Sequence, residues 1–225
     1  MLEEKLKNIN MEILDYHAHV TYMFKNAING LLSKNAEILK KVIEKDEVYA
    51  NEKENLIDEL CLDFIALYSP RAKVLRTVAM MLKMNNDLER IGDHATNIAQ
   101  SALILINYPE VKEINSLISL MASKTLEMLK ESLEAYLKED TSLATSVLQK
   151  DDEIDRLNQK ILKKSTSLCS TNQINPEMLI EFTAISSNIE RVADHATNLA
   201  EDVIYAVSGK IYRHGHFRNK SDTSF

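Results

Sequence analysis

Glycine and proline are scarce in this chain, four and three in 225 residues. A β-sandwich or a βαβ fold turns often and needs many more of both. Few turns mean long elements. Tryptophan is absent, and apolar runs such as 102–106 fall far short of the ~20 residues that a membrane-spanning helix requires. From Glu3 onward the N-terminus alternates charged and apolar residues, a pattern that excludes a signal peptide. The two cysteines, Cys61 and Cys169, stand in unrelated contexts. They read as buried thiols of a reducing compartment, not as a bridge or a metal pair. Basic charge is short as well: 27 Lys and Arg against 34 Asp and Glu leave a net charge of −7. That balance argues against nucleic acid as a partner. The exception is the tail from Lys210 to Lys220, where His214 and His216 accompany four basic residues and no acid.

What the chain does have is helical periodicity. Apolar residues recur three and four apart from Leu6 to Leu31, from Leu39 to Leu67 and from Met84 to Leu105. Ser33 and Asn35 punctuate the first gap, Ser69-Pro70 the second, and Tyr108-Pro109 ends the third run. The pattern then starts again: Ile114 to Leu137, a break at Asp140-Thr141, a seam through Val147, Ile154, Ile161 and Leu168, a restart at Asn175-Pro176, and a last run from Phe182 to Ala206. Ser69 and Asn175 are cap residues followed by proline in the first turn. This predicts an all-α protein of six long helices, two tandem three-helix bundles related by internal pseudo-symmetry, with units at 1–108 and 109–225. Helices of this length span about 40–50 Å and pack at crossings near +20°.

The duplication is sharpest in residues 87–99, which align without a gap to 188–200 and are identical at eight of thirteen positions. Both copies hold Glu-Arg-x-x-Asp-His-Ala-Thr-Asn, beginning at Glu89 and Glu190. A helical wheel sets Glu89, Asp93 and Asn97 on the side of the helix away from Ile91, Ala95 and Ile98. Glu190, Asp194 and Asn198 repeat the placement. A solvated face tolerates almost any polar residue, yet this one keeps the same residues twice while the core positions beside it drift. Two carboxylates at i and i+4 suit a hard cation with oxygen ligands. A second helix must complete the set. Aligning Val42 with Val147 offers Asp46 and Asp151, with Asp155 completing an Asp-x-x-x-Asp pair in the second unit. Asp155 then matches Ala50, which makes the first site poorer unless Glu47 or Asn51 substitutes. His94 and His195 fall beside the seam and read as packed, hydrogen-bonding imidazoles. His17 and His19 have no counterpart and receive no role.

In these two motifs, in Pro70 and Arg76 upstream of the first, and in the closing segments 203–205, 209–210 and 213–214, the chain resembles the PhoU family of phosphate-transport regulators. The resemblance covers almost the whole length. It implies a cytoplasmic, non-enzymatic regulator, in many members a homodimer, that restrains the high-affinity phosphate ABC transporter. The implied partners are the transporter ATPase subunit and a phosphate-sensing histidine kinase, with the membrane reached only through them. Metal sites are implied at Glu89, Asp93, Glu190 and Asp194, with Asp151 and Asp155 as the partner pair. The ion is divalent or ferric: iron, Mn, Mg, Ca or Zn. Two further readings stay open on the residues alone. One is a metal-free helical scaffold; the other is a di-metal oxidase of ferritin type, which uses Glu-x-x-His inside a four-helix core. Here the acids are expected to project outward and His follows Glu by five residues. No glycine-rich phosphate cradle and no nucleophile–base pair stands out.

Overall fold

In the structure, a computed structural model, residues 2–209, 211–213 and 216–218 are described. The first unit contains α1 (Leu2–Leu32), α2 (Ala36–Lys41), a π-helical turn (Val42–Asp46), α3 (Glu47–Tyr68) and α4 (Ala72–Leu105). The second contains α5 (Lys112–Lys138), α6 (Thr141–Leu148), α7 (Asp151–Ser170) and α8 (Pro176–Ser208). A two-stranded antiparallel ribbon, β1 (Ile211–Arg213) and β2 (His216–Arg218), follows α8. The side chains of the basic tail lie outside the described residues. The protein is all-α, built from two repeated three-rod units; the middle rod of each is irregular. In the first it contains the π turn, and in the second it breaks at Gln149-Lys150 between α6 and α7.

The turns follow from side-chain chemistry. The Oδ1 of Asn35 accepts from the backbone N–H of Glu37 and Ile38, and Asp140 does the same for Ser142 and Leu143. Asn175 accepts from Met178 N–H with Pro176 in the first turn, as expected. Ser69 differs from its expected role. It closes α3 in a left-handed conformation at φ 43°, and α4 begins only at Ala72. Pro70 disfavours the right-handed helical conformation at the residue before it, so Ser69 ends one helix and does not open the next.

Gly30 is set by close approach. A Cβ there would lie 2.5 Å from Leu39 Cδ2 and 2.6 Å from its Cγ, and Leu39 is fully buried beneath α1. Gly30→Ala should therefore destabilise the protein by about 1–3 kcal/mol in a denaturant titration, although alanine favours a helix. An unchanged midpoint would show that Leu39 can move aside.

The two units share one continuous core. Antiparallel contacts join α1 to α5 and α4 to α8, so these four rods form the centre and the two middle rods flank it. His17 is buried at the α1–α5 contact, its Nε2–H donating to Leu129 O of α5 at 3.1 Å. Burial pushes its imidazole down to about 4, against the opposing pull of that hydrogen bond. Unfolded histidine takes up its proton near pH 6.5, so between these values the unfolded chain binds more protons. The neutral-pH stability is thus complete above about pH 6.5 and drains as pH falls toward 4. Replacing His17 with Gln, which keeps an N–H donor, should flatten this acid-side slope in thermal melts. An unaltered slope would assign it to other groups.

Cys61 is buried as expected, and desolvation with the nearby charge of Asp58 raises its thiol to about 12. Cys169, also free, is only half-buried, because α7 runs out to the end of its unit there.

Candidate functional site

The repeated motif faces two ways, and each half has its own task. Glu190 and Asp194 of α8 turn toward α7, where Asp151 and Asp155 stand. Burial, followed by the charges of Asp194, Asp155 and Asp152, lifts the Asp151 carboxyl to about 6. Glu190 is raised by burial, by Asp155 and Asp194, and by a hydrogen bond to Asp155. Asp194 is raised by burial and by Asp155, against the pull of His195 and Arg191. Asn158 Nδ2–H donates to Glu190 Oε2 at 2.6 Å. The structure therefore brings Asp151, Asp155, Glu190 and Asp194 into one crowded acidic seam. Asp194 stays exposed, as expected, whereas the rod beside it half-covers Asp151, Asp155 and Glu190.

In the first unit Glu89 and Asp93 face α3 in the same way. Glu89 is raised by burial, by Asp93 and by Glu54, with Arg90 opposing. Glu54 and Glu47 are both raised by burial and by Asp93. Glu89 Oε2 is buried without a hydrogen-bond partner, although Arg90 Nε lies 3.1 Å from it, and Arg90 also reaches Asp93 at 3.3 Å. The buried hydroxyl of Tyr16, also unpartnered, feels Glu54, Glu89 and Asp93. An arginine thus supplies positive charge in the first seam that the second receives only from a distance.

Asp46 is not part of this cluster. It is 6% exposed, pairs with Lys41 at 3.3 Å, and its backbone carbonyl accepts from His19 Nε2 at 2.8 Å. The reason is the π turn. Val42 matches Val147 and Ile57 matches Ile161, which leaves one extra residue in the first unit, and the wide turn absorbs it. Beyond the turn the pairing is Glu47 with Asp151, Asn51 with Asp155 and Glu54 with Asn158. Ala50 matches Ile154 and is buried against Gly92, so it is a core position and not a failed ligand. The crowding of Glu47 against Asp93 agrees with this register.

The other half of the motif joins the repeats. His195 Nδ1–H donates to Asp87 Oδ1 at 2.7 Å, and His94 Nδ1–H donates to Asn188 Oδ1 at 2.9 Å. Asn198 Nδ2 adds a bond to Asp87 at 3.0 Å, and Asn97 approaches Asn188 at 3.5 Å. The two imidazoles stack with centroids 5.6 Å apart. Each histidine therefore contacts the residue that opens the other motif. His94 is held below its ordinary range by burial, with His195 and Arg191 adding to the effect.

As to a cation, the donors are all oxygens and suit a hard ion. Among the described residues no three His, Cys, Asp or Glu side chains already converge as a metal site. The fit rests on charge: partly buried carboxylates raise one another, and neutralising them would relieve that strain. No helix among the described residues is long and apolar enough to cross a membrane.

A twice-repeated helical protein with an acidic seam in each repeat and a polar lock between them is the class that fold and site define. The family model described as PhoU domain matches residues 13–102 and 118–203. The chain belongs to the PhoU family. It is 35% identical over 195 residues to the phosphate-specific transport system accessory protein PhoU homolog 1 of Thermotoga maritima, covering 85% of this chain and 82% of that protein. To the corresponding Aquifex aeolicus protein it is 31% identical, covering 98% and 99%. The crystal structure of PhoU from Pseudomonas aeruginosa superposes with a TM-score of 0.88 at 28% identity, covering 93% of this chain and all of that one.

Proposed function

We propose that this protein is a cytoplasmic regulatory adaptor of phosphate homeostasis, made of units 1–108 and 109–225, that restrains a high-affinity phosphate ABC transporter. Its partners in this reading are the transporter ATPase subunit and a phosphate-sensing histidine kinase, and it works as a homodimer without enzymatic activity. Relatives that match 85–98% of the chain are named accessory proteins of the phosphate-specific transport system, which supports the role. The observation that carries the mechanism is the acidic seam of Asp151, Asp155, Glu190 and Asp194 between α7 and α8.

In this mechanism the chain's own carboxylates repel across a rod-to-rod contact, and the polar lock of Asp87, His94, Asn188 and His195 carries the position of α8 to α4. A bound divalent or ferric cation would neutralise the seam and tie the middle rod to the third helix. Glu89, Asp93, Glu47 and Glu54 would form the corresponding seam in the first unit. A regulator of this kind acts only if its partners bind the loaded and empty states with different affinity. Co-purification from cells grown in high and in low phosphate tests the assignment. Recovery of the transporter ATPase or a sensor kinase in either condition is expected; recovery of neither contradicts it.

A further inference from the structure

The two repeats serve as controls for one another, and they differ at the seam between the first and middle rods. In the first unit Lys53 lies across that seam, 2.6 Å from Glu12 and 2.7 Å from Asp15, with Tyr49 also donating to Asp15. Ile9 matches Ile114 and Ile13 matches Ile118 in the core, which carries Glu12 onto Leu117 and Asp15 onto Leu120. The register from Glu47 and Asp151 carries Lys53 onto Leu157. The polar plug of one unit is thus replaced by leucines in the other. The rim changes in the opposite sense: Leu56, Glu59 and Leu60 become Lys160, Lys163 and Lys164.

The result is an open trough of about 730 Å³ between α5 and α7, lined by Leu117 and Leu120 and bordered by those three lysines and Glu113. Leu120 is 45% exposed. Lys164 pairs with Glu113, whereas no ion pair among the described residues reaches Lys160 or Lys163. Lower on the same seam Lys124 and Lys150 are neutralised by Glu153 and by Glu127 and Glu131. Along this seam, the positive charge that no ion pair among the described residues compensates therefore lies beside the trough's leucines, in a chain whose net charge is −7.

We propose that the α5–α7 trough docks an acidic amphipathic helix of a partner protein. The α5 lining from Glu113 to Leu120 covers about 10 Å, so about two turns of helix fit. Aliphatic or aromatic residues at i and i+4 of the partner meet Leu117 and Leu120, and flanking Asp or Glu meet Lys160 and Lys163. The leucines and the unpaired lysines beside them complement the apolar face and acidic flanks of such a helix. The proposal rests on the adaptor reading only in taking the occupant to be another protein. It is independent of metal and of phosphate.

The test uses the purified full chain and a panel of labelled helical peptides of about four turns, with two leucine anchors and glutamate flanks. Fluorescence anisotropy should show salt-sensitive binding that Lys160→Glu with Lys163→Glu weakens at least about tenfold. Lys45→Glu, a charge change of the same kind on the first unit, should leave binding unaltered, and circular dichroism verifies the fold of each variant. The proposal is overturned if no acidic peptide binds, if lysine-flanked peptides bind equally well, or if the trough variant binds as the parent does. Sedimentation with phosphatidylserine vesicles that is lost in the trough variant would reassign the surface to lipid. Self-association in velocity sedimentation, lost in the same variant, would reassign it to a second copy. Since each readout is made on purified protein, failure here leaves the phosphate-regulation reading untouched.

Discussion

Asp87→Ala should lower the unfolding free energy by about 3–5 kcal/mol, the usual cost of breaking a buried polar pair from one side. Asp87 is 7% exposed, and its Oδ1 accepts from both His195 and Asn198 of the other repeat. Removing the carboxylate orphans two donors at the densest contact between the units. Asp87→Asn should recover most of the loss, because Asn188 performs the equivalent task for His94 with an amide oxygen. Denaturant titrations of both variants decide the matter. Equal losses would mean that the charge of Asp87, and not its acceptor oxygen, holds the contact.

The second large effect concerns the acidic seam, and its sign reverses with cation. The folded Asp151 carboxyl sits near 6, above its unfolded value of about 3.9. The folded state then binds more protons between these values, so the cation-free protein carries a penalty above about pH 6 that fades as pH falls toward 4. Asp151→Asn removes the penalty at neutral pH and should stabilise the cation-free protein by about 1 kcal/mol, after allowance for its partial exposure. With a saturating divalent cation the parent should gain stability and the variant should not. A variant that is destabilised in both conditions would show that Asp151 is held by interactions of another kind.

Much of the architecture was legible in the residues. Sparse glycine and proline, the 3.6-residue period and the repeat at 87–99 lead directly to paired three-rod units. The seam in the second unit was legible too, because α7 and α8 are regular through Asp151, Asp155, Glu190 and Asp194. The first seam was not, because a π turn shifts the register by one residue and no propensity marks where the extra residue is accommodated. A wheel drawn for one helix also cannot show the neighbouring rod, so Glu89, Asp93 and Glu190, which looked solvent-facing, lie half-covered, while Asp194 stays exposed. Asp87 and Asn188 stood in plain view at the head of each motif. Their role needs the antiparallel approach of α4 and α8, which no local pattern encodes.

Both repeated acidic pairs, on this account, persist because they hold a cation between rods. Calorimetric titration of the metal-free chain at neutral pH with manganese or iron, beside the Asp155→Asn, Asp194→Asn double variant, examines this most directly. The account predicts saturable binding by the parent and an affinity at least about 100-fold weaker in the variant, a loss near 2.7 kcal/mol. Equal binding by the two proteins, or none by the parent, would contradict it.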